Sequence, residues 1–180
     1  MAGLSVEVVY ETHATSEDNE AGIATGQLPG RLSAAGREQA RELGKRRRDD
    51  GIAVVFTSDL GRALETAEIA FAGSSLPLVV DARLRECDYG ELNGTAEPLH
   101  ERAAYLDLPY PGGESWGQAV ERVSGFLEEL RPDRDGERVL VIDHSATRLA
   151  LEVVANGREL DELIGAPFIW EPGWEYVLSP

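Results

Sequence analysis

The chain is short of several things at once. Its 180 residues include one cysteine, one lysine, one methionine and three histidines. A lone thiol, Cys87, excludes an internal disulfide, and its loop-like surroundings suit a quiet side chain better than a nucleophile. No apolar run approaches the length needed to span a bilayer, and no basic segment followed by an apolar core opens the sequence, so cytoplasmic residence is the default expectation. Positive charge is scarce: 17 basic residues against 33 acidic ones give a net charge of −16 and a pI near 4.5. Such a field repels nucleic acid and anionic membrane surfaces, which excludes both as main partners. An anionic substrate therefore needs a local pocket of positive charge. The single lysine, Lys45, opens the run KRRRDD, which reads as a solvated helix end because acids follow it and no aromatic interleaves it.

What is present is ordinary for a globular chain. Hydrophobic content of 42% and charged content of 28% can supply a core. A chain of this length buries roughly 70% of its extended surface as about one domain. No repeat, low-complexity tract or linker-like change of composition divides it, so residues 1–180 read as one domain. Apolar runs near residues 4–10, 53–57, 77–80 and 139–143 read as strands, with WEYVL at 174–178 as an edge strand. Helical patterns start at Ser33, Asp59, Glu114 and Ala146. Strand and helix alternate, which predicts an α/β three-layer sandwich: a mainly parallel sheet, helices on both faces, and ligands beyond the carboxyl ends of the strands.

Two of the three histidines share one setting. In LSVEVVYETHATS and in VLVIDHSAT an apolar run stops at a histidine, His13 or His144, followed by small and hydroxylated residues. Both then stand where backbone N–H groups or a helix N-terminus can face an anion. Metal ligation wants a third partner, and His100 lies in a polar helical stretch, PLHERAAYL, with no cysteine or acidic group at ligand spacing; no metal is expected. A G-x-S-x-G elbow is missing, which disfavours a serine triad and leaves a histidine nucleophile to be considered.

At these residues the chain resembles the histidine phosphatase superfamily, the phosphoglycerate mutase-like proteins. Residues 12–19, THATSEDN, are similar to the opening R-H-G-E-T-x-x-N. LSAAGREQARELG, FTSDLGRALETA, RLRECDYGELNG, YPGGES and VIDHSAT follow in the family's order. Six ordered segments are a specific signal where one would be weak. The resemblance implies a metal-independent and cofactor-free phosphatase acting on a small-molecule phosphate ester. In it His13 would be the nucleophile, Arg62 the guanidinium clamp, Glu86 the general acid and base, and His144 an imidazolium bonded to a phosphoryl oxygen. Thr12, Asn19 and Ser145 would contact the substrate, and the PGGES loop would form a wall of the site. Trp170 and Trp174 are expected to pack rather than stack on substrate.

Two departures stand beside the matches: Thr12 replaces the family's arginine, and Ala14 its glycine. One phosphate clamp is missing, and Arg148, four residues after His144, is the first candidate to replace it. The same departure opens two alternatives. One is a binding or altered-chemistry protein on the same fold; the other is a phosphoglycerate-type mutase, for whose usual insertions the chain has little room. A homodimer is the default assembly expectation.

Overall fold

A computed structural model describes residues 5–97 and 100–179. The start of the first expected strand, Leu4, and the first two residues of PLHERAAYL lie outside them. Five strands form the main sheet: β1 (Val6–Thr12), β3 (Val54–Thr57), β4 (Leu78–Val80), β6 (Arg138–Asp143) and β7 (Trp174–Leu178), in the order β4-β3-β6-β1-β7. All pairs are parallel except β1 with β7. A small antiparallel pair, β2 (Ile23–Ala24) with β5 (Thr95–Ala96), stands apart. The helices are α1 (Glu17–Glu20), α2 (Ala34–Arg47), α3 (Gly61–Ala70), α4 (Trp116–Asp133), α5 (Ser145–Asn156) and α6 (Leu160–Ile164). None of the described helices is long and apolar enough to cross a membrane.

The central strands β3 and β6 are apolar on both faces because both are covered, while the edge strand β4 is exposed and β7 is buried on one face only. Val9, Val55, Leu140 and Ile142 pack with Leu43, Ala67 and Ala70 of α2 and α3. Val8, Tyr10, Phe56 and Val141 face the other way, against Trp116, Phe126 and Leu127 of α4 and Leu149 and Leu151 of α5. Ser33 caps α2 by accepting from Gly36 N, and Ser115 with Gln118 forms a capping box on α4. PLHERAAYL is not the helix expected: its described part holds a single 3-10 turn, Arg102–Tyr105.

Alternation along β1 turns Glu11 toward α2. There it is 1% exposed and meets Arg46 at 3.0 Å and Arg47 at 2.8 Å. The expected solvated helix end is thus corrected: two of its arginines neutralise a buried carboxylate, and Arg47 also donates to Asp50 and to the carbonyl of Pro172. Glu11→Ala would take the shared buried acceptor from Arg46 and Arg47, leaving Arg47 with Asp50 and the Pro172 carbonyl, and loss of such charge-assisted bonds costs about 1.5 to 3 kcal/mol. Denaturant unfolding should show that loss with little change in slope; a cost no larger than an exposed ion pair, below about 1 kcal/mol, would contradict it.

Candidate active site

Register brings the two histidines together. Thr12 pairs with Asp143 across β1 and β6, and the ladder continues one step further through His13 N–H to the Asp143 carbonyl, 3.0 Å. The next residues, His13 and His144, therefore leave neighbouring strands side by side, with ring centroids 5.2 Å apart. Backbone contacts fix the turn they share. Ala14 N donates to Thr66 Oγ1, Ser33 N donates to the Thr15 carbonyl, and Tyr10 Oη donates to the His144 carbonyl. Gly36 of α2 lies so close to the Thr15 carbonyl that a Cβ there would fall 1.9 Å from the oxygen.

His13 Nδ1 lies 2.7 Å from its neighbour's carbonyl, Ala14 O, which fixes Nδ1 as the protonated nitrogen and leaves the Nε2 lone pair free. Arg62, 3% exposed, aims Nε at that lone pair from 3.3 Å. Its other nitrogens donate to the carbonyls of Gly26, at 2.9 Å, and Leu28, at 3.4 Å. Gly26 presents its carbonyl from a left-handed φ of 58°, where a side chain would be strained and would meet Asn93. Burial first, and Arg62 second, push the His13 imidazole down to about 3. It is neutral, and hence nucleophilic, across the physiological range.

His144 is also held neutral, by burial and then by Arg62 and His13, so the imidazolium expected from the sequence is not what the protein alone maintains. An anion beside it has to bring the proton's stabilisation. Ser58 Oγ lies 2.6 Å from His144 Nε2, and Asp143 Oδ1 lies at 3.2 Å. Burial also drives the Asp143 carboxyl upward, against the opposing bond from Thr147. Burial thus works against the charged form of both members of the close Asp143 and His144 pair.

Glu86 caps α5. It accepts from Cys87 N at 2.9 Å, Ala146 N at 3.1 Å and Ser145 N at 3.2 Å, so two of the orphan donors of the helix end on its carboxylate. Together His13, Arg62, Glu86 and His144 line one cleft of about 980 Å³, with Thr12, Asn19 and Ser145 also on its walls. The Asn19 side-chain oxygen is committed to Ser16 N, closing the capping box of α1, while its amide nitrogen remains a donor.

Three expectations are corrected. Arg148 does not line the cleft: its guanidinium lies over the ring of Trp174, 4.7 Å from the centroid. The PGGES loop is not a wall either. Glu114 receives Asp88 N and pairs with Arg122, bracing the segment after Glu86 from behind. Trp174 packs as expected, against Tyr10 at 5.7 Å, but Trp170 is 59% exposed and lines the cleft. Sequence reading also passed over Ser58, although it stands in the quoted FTSDL just past β3, where a polar residue at a strand's carboxyl end was a usable signal. His100, bonded to Thr95 and edge-on to Tyr89 at 4.6 Å, forms a cleft wall that no local pattern announced. Cys87 is fully buried, and burial raises its thiol, in keeping with a quiet side chain.

The model of the histidine phosphatase superfamily, branch 1, matches residues 12–167, nearly the whole of this arrangement. The chain belongs to that superfamily. It is 33% identical over 175 residues to a 2,3-bisphosphoglycerate-dependent phosphoglycerate mutase of Methylobacterium sp. strain 4-46, covering 88% of this chain and 84% of the relative. It is 31% identical over 168 residues to phosphoserine phosphatase 1 of Hydrogenobacter thermophilus, covering 87% and 79%. Among solved structures, Bacillus stearothermophilus YhfR superposes with a TM-score of 0.81 at 26% identity, covering 93% of this chain and 88% of that one. Phosphatases and mutases of this histidine phosphatase family thus share its fold and most of its length.

An NMR titration of the imidazoles should find no midpoint for His13 or His144 between about pH 5 and 8. The linkage follows in sign. As pH falls below about 6.5 the unfolded chain takes up histidine protons that folded His13 refuses until about 3, so stability declines through that window. Asp143, whose carboxyl burial shifts upward in the folded chain, opposes the trend.

Proposed function

We propose that the protein is a metal-independent phosphatase that hydrolyses a small phosphate ester through a phosphohistidine at His13. The observation that carries this reading is a neutral, oriented His13 whose unprotonated Nε2 accepts from the Arg62 guanidinium, the donor that would turn to the phosphoryl oxygens when substrate arrives. Nε2 attacks phosphorus and the bond from phosphorus to the ester oxygen breaks. Glu86, as the acid, gives that oxygen its proton, and the carboxylate left behind meets three N–H donors already in place. Water then attacks the phosphohistidine, Glu86 takes the water's proton, and phosphate and free His13 result. Arg62 and the N-terminal end of α5 hold the charge on the phosphoryl oxygens, and an anion there favours a proton on His144.

A phosphate-release screen over sugar phosphates, nucleotides and glycolytic phosphates tests the reading, with Glu86→Gln as its mechanistic arm. Gln keeps one acceptor oxygen for the helix but has no proton to transfer. Rates on alkyl esters should fall roughly 10²- to 10³-fold, and much less on aryl esters, whose leaving oxygen needs little protonation. Equal losses on both would deny Glu86 the acid role. A second reading, phosphoryl movement between positions of a phosphoglycerate, draws on the mutase-named relative. Conversion of 3-phosphoglycerate to its 2-isomer faster than phosphate release would establish it instead. Ligands that raise the melting temperature without any turnover would favour the binding-protein reading prompted by Thr12.

A further inference from the structure

The cleft is far larger than a phosphoryl group requires. Its volume of about 980 Å³ lies near the upper end of the range that encloses a drug-sized molecule, roughly 300 to 1,000 Å³. Besides the residues around His13 its walls include α2, through Glu38, Gln39, Glu42 and Arg46, and the segment 165–173 that leads into β7, and we call this side of the cleft its arm. From that segment Phe168 and Trp170 line it while remaining 55% and 59% exposed. Large rings left open beside a reactive cleft mark a binding surface more often than chance.

The arm is built rather than loose. Phe168 packs on Trp174 at 6.2 Å, Trp174 packs on Tyr10 of β1, and the Pro172 carbonyl is tied to Arg47. Its charge also selects. Glu38 and Glu42 of α2 line the arm, each paired with a neighbour one turn on, Arg41 or Lys45, and among the described residues the arm's one lining cation, Arg46, is committed to buried Glu11. A second anionic group on the substrate would meet carboxylates there, and cations that already have partners.

We infer that this arm is a subsite for the alcohol portion of the ester, and that it takes an aromatic or extended apolar group carrying no second negative charge. The inference rests on His13 as the seat of the phosphoryl group. Trp170 is then a specificity determinant.

Three esters separate the possibilities: 1-naphthyl phosphate, ethyl phosphate and 3-phosphoglycerate. The naphthyl ester should have the highest kcat/KM, and Trp170→Ala should lower the naphthyl-to-ethyl ratio about three- to tenfold, the worth of one aromatic contact. Trp170→Phe, which keeps a ring, should restore most of that ratio. Binding is measured separately by calorimetry on His13→Ala, which cannot form the intermediate. Naphthyl phosphate should bind at least tenfold more tightly than inorganic phosphate, and adding Trp170→Ala should remove most of that advantage. If no ester is hydrolysed yet this binding pattern holds, the phosphatase reading fails and the subsite stands. If esters are hydrolysed but Trp170 changes neither ratio nor binding, or 3-phosphoglycerate equals the naphthyl ester, the subsite is overturned.

Discussion

Replacing His13 with alanine should abolish turnover and, with it, any covalent phosphate on the protein. Removing a catalytic nucleophile costs roughly 10⁴- to 10⁶-fold, because what remains is only the charge stabilisation and binding provided by the rest of the site. The structure makes the substitution a clean one. The imidazole bonds to its neighbour's carbonyl, receives Arg62 and lies against the ring of His144. A brief incubation with labelled ester, followed by quenching in base, should trap label on the unsubstituted protein. The label should be lost in acid, as a phosphoramidate is and a phosphoserine is not. Label surviving in His13→Ala would move the nucleophile to another residue.

Arg62→Ala carries the second large effect. Among the described residues its guanidinium is the one that hydrogen-bonds His13, and loss of a donor aimed at developing phosphoryl charge typically costs about 10² to 10³ in rate. With the arginine of the usual opening motif replaced by Thr12, the upper end of that range is expected. The same side chain also holds the Gly26 and Leu28 carbonyls, and Arg62→Ala should lower the melting temperature as well. Arg62→Lys separates the two roles. A single ammonium restores charge but cannot fork between a histidine and two carbonyls, so activity should recover only in part. Full recovery with lysine would mean that charge alone, without geometry, carries the contribution.

The element pattern was plain in the sequence because β3, β4 and β6 are apolar runs closed by polar residues, β1 is β-branched and aliphatic around Glu7 and Glu11, and Ser33 and Ser115 announce their helices as caps. The pairing of His13 with His144 was legible for the same reason: two strands ending in the same way within a parallel sheet leave few other places for them. Contacts set by register and by loop path were not. Spacing of four placed Arg148 on the face of His144, but His144 is the N-cap of α5, with extended backbone at φ −112° and ψ 174°, so helical spacing does not reach it. Arg148, one turn inside, turns to Trp174 instead. Glu11 gave no sign of its two arginines, which come from 35 and 36 residues away. Trp170 read as packing because nothing local distinguishes it from Trp174. The difference lies in the course of the loop before β7, which only the folded chain defines.

The position of β1 also governs when the site can come into being. Its partners in the sheet are β6 and β7 alone, and Glu7 is matched to Arg138 across 131 residues of sequence. During synthesis the strand that leads to His13 is therefore made well before either of its neighbours in the sheet. Pairings this distant close slowly, and until they do an apolar strand stays available to wrong partners. The intervening stretch, β3 with α2 and α3, can gather by itself, but it assembles around a gap in the sheet where β6 will enter. A chain halted before residue 138 would hold Arg62 and Glu86 and still lack the imidazole beside His13, since His144 arrives only with β6.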